Sequence, residues 1–376
     1  MKPLAAPSDF ALPSLVPIAA VVRNGRTESW IFGAAAVATP TGSLVASAGD
    51  PDLATYVRSA AKPFQILPLL LAGGAERFSL DAADLALICA SHGGRPEHAE
   101  RAARLLERGG FSVADLLCGA HAPFDPEAAR ELRQRGEEPT ALRSNCSGKH
   151  AGMLLACRLL GLPAADYVDP GHPLQRRILA HVASLARVEE SAIGIGIDGC
   201  SVPAYHLSLA AAARAYAALA DPAGAGLSDE VAAALGQVAA AMGAEPEMVA
   251  GPGRFTTRLI AATGGRVIGK EGAEGFYAMA VRSPFPLGLA FKVADGGERG
   301  RDGVALEMLR QMGALSGEEL SALDDLIRPA IRTVRGIPIG EVSPEIELVE
   351  VPAADDKGSA PLAALRQDRL ERDSPA

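Results

Sequence analysis

The segment Arg58-Ser59-Ala60-Ala61-Lys62-Pro63-Phe64-Gln65 is where the hydrophobic period of the chain changes. Before it the pattern is that of strands: Pro17 to Val22 is short and apolar, and Ile31 to Ala38 and Ser43 to Ser47 flank the hairpin-like turn Thr39-Pro40-Thr41-Gly42. After it, helical patterns follow at about 60–72, 80–87, 95–108, 126–136, 148–160 and 173–185, divided by Gly and Pro breakers. The run 192–197 reads as a buried strand ending at Asp198-Gly199-Cys200, and Ala-rich helices are expected over 204–219 and 228–242. Strand-like runs return at 266–268, 276–281 and 287–293, then helices near 302–312 and 317–326 and a last strand-like run at 345–351. Strands at both ends of a helical middle predict an α+β fold, a mixed, largely antiparallel sheet packed by helices. No Pro/Ser linker divides the chain. Residues 1–352 are therefore expected to form one domain with a helical insertion between sheet strands, and the polar stretch 353–376 a disordered tail.

Composition excludes several function classes. With 376 residues, 48% of them hydrophobic, the chain can bury a large core. The net charge of −9 comes without a basic block or an aromatic-interleaved basic stripe, so nucleic acid is not an expected partner. Pro3, Pro7, Pro13 and Pro17 with Asp9 interrupt any signal-peptide-like apolar run, and the most apolar helical stretch carries His206 and Arg214, so a cytoplasmic protein without a membrane span is expected. Five cysteines, an odd number, argue against a disulfide framework. Cys89 and Cys157 lie in apolar runs, where a thiol acts as a small core residue.

Only six of the 36 basic residues are lysines, and three of those, Lys62, Lys149 and Lys270, sit in segments crowded with Ser, Cys, Gly and His. A compositionally biased genome explains the arginine excess but not the company these lysines keep. A lysine, unlike an arginine, can lose its proton near neutral pH. Ser59 and Lys62 are spaced i, i+3 at a helix start marked by Pro63, which places hydroxyl and amine on one face. Lowering an amine from about 10.4 to near 7 takes roughly 4 to 5 kcal/mol, which burial and a second ammonium can supply. Lys270, read as part of a Gly-rich loop, is the candidate for that second group. The turn Ala90-Ser91-His92-Gly93-Gly94 lets backbone N–H groups approach a ligand and reads equally as a capped helix start. Cys146 and Lys149, again i, i+3, and Cys200 lie at polar, Gly-rich turns where metal ligands or structural thiols are found.

These segments, with Ser144-Asn145-Cys146-Ser147-Gly148-Lys149-His150, Asp198-Gly199-Cys200-Ser201-Val202-Pro203 and Gly269-Lys270-Glu271-Gly272-Ala273-Glu274-Gly275, together resemble the rhizobial-type L-asparaginase II family in order and spacing over about residues 15–350. The resemblance implies a fold similar to serine β-lactamases and glutaminases, a homodimer, and hydrolysis of L-asparagine to L-aspartate and ammonia. It implies two Ser-Lys pairs, Ser59 with Lys62 and Ser91 with Lys270, and a zinc ion (Zn2+) held by Cys146, Lys149 and Cys200. On this reading Ser59 attacks the side-chain amide and Lys62 takes its proton, with the choice between the two serines left open. Arg58 or His92 holds the α-carboxylate, Asp198 the α-ammonium, the backbone near Gly93 serves an oxyanion, and His150 is a further substrate contact. One departure is Glu28-Ser29-Trp30-Ile31, where the family usually has a histidine in place of Ile31. A penicillin-recognising acyl hydrolase would share the Ser-x-x-Lys chemistry, but the chain has no Ser-Asp-Asn, and Lys270-Glu271-Gly272 lacks the hydroxyl of Lys-Thr-Gly. A catalytically silent, zinc-dependent asparagine-binding protein is the non-enzymatic alternative.

Overall fold

The structure is a computed structural model, described here for residues 13–352. The expected tail at 353–376 lies outside the described residues. The strands are β1 (Val16–Arg23), β2 (Arg26–Ala38), β3 (Leu44–Ala48), β4 (Ala54–Tyr56), β5 (Gly194–Ile197), β6 (Pro203–Ser208), β7 (Val267–Glu271), β8 (Phe276–Val281), β9 (Leu287–Val293), β10 (Ala330–Arg332), β11 (Pro338–Pro344) and β12 (Val349–Glu350). The main sheet runs β10-β11-β1-β2-β9-β8-β7, with β3 on the distal half of β2 and β12 on β3, and all its pairings are antiparallel. The fold is thus α+β with a largely antiparallel sheet, as the strand-helix-strand order predicts.

Both faces of the central part of this sheet, β7, β8, β9 and the second half of β2, are buried, and the strand period of two sorts the side chains between them. Ala34, Ala36, Ala38, Phe276, Ala278, Ala280 and Ala290 face the helical layer, while Ala35, Val37, Tyr277, Met279, Leu289 and Phe291 face the helices Phe255–Ala262 and Arg301–Gln311. The first face is thin because it is built of alanine, and the alanine-rich helix Leu209–Ala220 presses directly onto it. At Gly288 the approach is closest: an added Cβ would overlap the backbone of Ala213 and Ala217. Gly288→Ala is therefore expected to destabilise the fold by about 1 to 3 kcal/mol, because a helix backbone must shift to admit the methyl group. Urea unfolding should show a lower midpoint at unchanged slope.

Several sequence expectations are corrected by the structure. The stretch read as one helix from Ala204 divides into strand β6 and the helix Leu209–Ala220, with Ser208 accepting the Ala211 N–H as cap. Residues Gly194–Ile197 form a strand, but an exposed one at the edge of a separate sheet, β4-β6-β5. Glycines at 194 and 196 give it little to bury. Lys270 stands on strand β7 rather than in a Gly-rich loop; the loop begins after Glu271. Of the last strand-like run, 345–351, only the short β12 is strand, and β11, which precedes it, is not among the expected strands. Ile31 packs against the core on the side of the sheet that faces the helices Phe255–Ala262 and Arg301–Gln311. All five cysteines are free and buried, and no helix among the described residues is long and apolar enough to cross a membrane.

Candidate active site

The lysines singled out by sequence are buried: Lys62 is 1% exposed, Lys149 3% and Lys270 1%. Burying an ammonium is costly unless it is hydrogen-bonded or shifted towards its neutral form, and each of the three meets this cost differently.

Ser59 lies on the 3-10 turn Arg58–Ala61, which continues into the short helix Lys62–Gln65 with Pro63 in its first turn. The Lys62 N–H closes onto the Ser59 carbonyl. The turn is anchored from below by Val57 N–H donating to Tyr205 O at 3.0 Å and by the Tyr216 hydroxyl donating to Ala60 O at 2.7 Å. Arg58 adopts φ 49°, the left-handed region that side chains avoid, and a salt bridge from its guanidinium to Asp198 at 2.9 Å holds it there. Two more non-glycine residues with positive φ, Ser201 (76°) and Glu274 (55°), lie in the segments that carry Cys200 and follow Lys270. Three strained positions thus fall in the motif segments. Ser59 is half-buried.

Although Lys62 is one turn from Ser59, its Nζ points elsewhere. It donates to Ala90 O (2.6 Å), Ser91 Oγ (2.9 Å) and Asn145 O (3.4 Å), which uses all three donors of an ammonium. Lys270 Nζ donates to the same Ser91 Oγ at 2.8 Å and to Glu271 O at 2.9 Å. Ser91 therefore bridges two buried amines, and the structure joins Lys62, Ser91 and Lys270 in one chain rather than two separate pairs. Burial, with help from the charges of Lys62 and Arg254, pushes the Lys270 amine down to about 7, against the pull of Glu271 and Cys146. Glu271 is itself held below the usual carboxylate value: burial works to raise it, but Lys270 and Arg254, the latter salt-bridged at 2.7 Å, outweigh that. Neither Arg254 nor Glu271 was singled out from sequence; the adjacency of Glu271 to Lys270 was the available signal.

Cys146, Lys149 and Cys200 also come together. Lys149 Nζ donates to Cys200 Sγ at 2.9 Å. Burial favours a neutral amine here, yet the two thiol groups reverse that and hold Lys149 charged, above its ordinary value. The hydrogen bond between the thiols keeps Cys146 well below the usual thiol range and Cys200 above it, so the pair shares one proton. Among the described residues there is no cluster of three or more His, Cys, Asp or Glu arranged for a metal, so a metal at this position would need Lys149 as a ligand. Two soft thiols and an amine, all buried and converging, are a donor set that fits zinc.

The remaining candidates separate. Asp198 accepts from Arg58 and from Gly199 N–H at 2.6 Å; burial raises its carboxyl, but Arg58 and Lys149 outweigh this and keep it ionised. Arg58 Nε is buried without a partner, a donor left free. Gly93 is buried against Asp125 and Ala250, its carbonyl taken by Asp125 N–H. His92 has both ring nitrogens engaged by protein, at Gly94 N–H and Ser147 Oγ. His150 Nδ1 lies 2.6 Å from the Tyr167 hydroxyl, and its Nε2 is buried without a partner. Burial and the charges of Lys149 and Lys62 keep His150 neutral. Tyr167 has no motif around it and was not legible in advance.

The arrangement places one serine hydroxyl between two buried amines, and a third buried lysine on a thiol. A family model described as L-asparaginase II matches residues 19–344, and the chain belongs to that family. Membership supports amidohydrolase activity. No curated protein matches the chain. Among solved structures the chain is similar to Mglu in its native form, at 16% identity over 77% of this chain and 67% of that one, with a TM-score of 0.42. It is also similar to Mglu in its tris and glutamate form, at 16% identity over 77% of this chain and 59% of that one, with a TM-score of 0.41.

Proposed function

We propose that the protein hydrolyses the side-chain amide of L-asparagine to L-aspartate and ammonia, with Ser59 as nucleophile and Lys62-Ser91-Lys270 as a single acid–base unit. The observation that carries this reading is Ser91 Oγ held between two buried amines, one of them pushed down to about 7. An oxygen that accepts N–H hydrogen bonds from two amines has no free lone pair with which to attack. Ser59 is half-buried rather than sealed, and its turn opens next to the Arg58–Asp198 pair. A proton leaving Ser59 passes into the lysine–serine chain and rests on Lys270, whose amine, pushed down to about 7, is neutral above that pH and free to accept it. The Ser91 hydroxyl then protonates the departing nitrogen and is recharged by the lysines. Arg58 and Asp198 offer one charge of each sign to the α-carboxylate and α-ammonium of an amino acid.

Zinc belongs to the same proposal. Cys146, Cys200 and Lys149 would hold it, and when bound it would supply a Lewis acid that orients a substrate oxygen. Because Lys149 is held protonated without metal, binding must release its proton along with the one shared by the thiols. Calorimetry of zinc binding at pH 7 in buffers of different ionisation enthalpy should therefore report proton release of more than one per metal. Release near zero would contradict this ligand set.

The activity itself is tested by ammonia release from L-asparagine and from L-glutamine. Turnover of asparagine is expected to exceed that of glutamine, and no ammonia from either would remove the reading. Turnover of a chromogenic cephalosporin instead would favour the acyl-hydrolase alternative.

A further inference from the structure

His92 was one of two candidates, with Arg58, for the substrate carboxylate, but the hydrogen bonds around it leave no free donor. Gly94 N–H can only donate, so His92 Nδ1 accepts it, at 3.2 Å. Ser147 donates its hydroxyl hydrogen to Leu142 O at 3.0 Å, so its oxygen accepts from His92 Nε2–H, also at 3.0 Å. The ring is thereby fixed as the neutral Nε2–H tautomer. It stacks at 4.8 Å on His98, whose own nitrogens tie Arg95 N–H and Glu247 O. His92 and Ser147 are both fully buried.

We infer that His92 and Ser147 form a positioning pair that fixes Ser91 relative to the turn bearing Cys146. Ser91 is the residue before His92 and Cys146 the residue before Ser147, so the one hydrogen bond crosses between the two segments that carry the reacting hydroxyl and the thiol. Lys62 makes the parallel bridge, with Ala90 O and Ser91 Oγ on one side and Asn145 O on the other. Ser91 itself is held by its N–H donating to Val249 O at 3.0 Å and by the two amines on its Oγ, none of which ties the residue after it to the Cys146 turn. The imidazole, locked at both nitrogens, makes that tie at the adjacent residue.

This role rests on the amidohydrolase reading above, in which Ser91 serves as proton relay. Ser147→Ala and His92→Leu each break the bridge, and His92→Gln keeps a donor near the Nε2 position. Each breaking variant should lower kcat for L-asparagine by about 10- to 100-fold with KM unchanged, the penalty for a small misplacement of a reacting group. His92→Gln should recover most of the loss, and the variant combining His92→Leu with Ser147→Ala should be no slower than the worse single change. Ser147→Ala, the smaller change, keeps the comparison open where His92→Leu does not fold. Multiplicative losses in the double variant, or a rise in KM confined to the His92 variants, would overturn the positioning role. A wild type that releases no ammonia would instead overturn the amidohydrolase reading, and this role with it.

Discussion

Ser59→Ala is expected to lower kcat for L-asparagine hydrolysis by about four orders of magnitude or more, the scale seen when one member of a catalytic unit is removed. Binding of L-asparagine should persist, since the Arg58–Asp198 pair proposed to meet the amino-acid end of the substrate is untouched. The fold should hardly notice the change: Ser59 is half-buried, and a substitution at such a position alters stability by no more than about 0.5 kcal/mol. Rapid-mixing measurement of ammonia release, with calorimetric binding of L-asparagine to the variant, separates the two effects. Ser91→Ala should cost less, about 10²- to 10⁴-fold, the usual worth of a proton-transfer group. If Ser91→Ala proves the more damaging and Ser59→Ala retains turnover, the roles of the two serines must be exchanged.

Lys270→Met is the second change with a large expected effect, lowering kcat by about 10²- to 10⁴-fold through loss of the group that stores the proton. The pH dependence gives the sign. A base that must be neutral to work, with its amine pushed down to about 7, yields activity above that pH and loses it as pH falls through 7. Arg254→Gln removes one of the charges that lower Lys270 and frees Glu271 to raise it, so the acidic limb of kcat/KM should move to higher pH. Stability follows the same linkage. The folded amine lies below its unfolded value of about 10.4, so the unfolded chain binds more protons between about 7 and 10.4 and stability rises with pH across that window. Lys270→Met should therefore stabilise the protein most below pH 7, the advantage shrinking towards pH 10. Urea midpoints at several pH values measure this directly.

How much of this was legible in the sequence depended on the range of the interaction. The lysines were legible because a rare residue in Ser-, Cys- and Gly-rich company stands out against an arginine-rich background, and all three prove buried. The convergence of Cys146, Lys149 and Cys200 was likewise carried by motif order. The direction of Lys62 was not. An i, i+3 spacing predicts contact with Ser59 on a continuous helix, but the chain changes from a 3-10 turn to an α-helix at Lys62, and three acceptors from the 90–91 and 145 segments draw its amine away. Strand β6 was hidden inside an alanine-rich run because alanine carries no period that distinguishes strand from helix. The role of His92 depended on Ser147 and Leu142, far along the chain, which no local pattern reports.

The most direct test of the central claim is mass spectrometry of the protein quenched with acid during turnover of L-asparagine. The account predicts a β-aspartyl ester on the peptide containing Ser59, lost in Ser59→Ala and accumulating when Lys270 is replaced by methionine if water attack is slowed more than ester formation. An ester on Ser91, or steady ammonia release with neither serine ever modified, would contradict it.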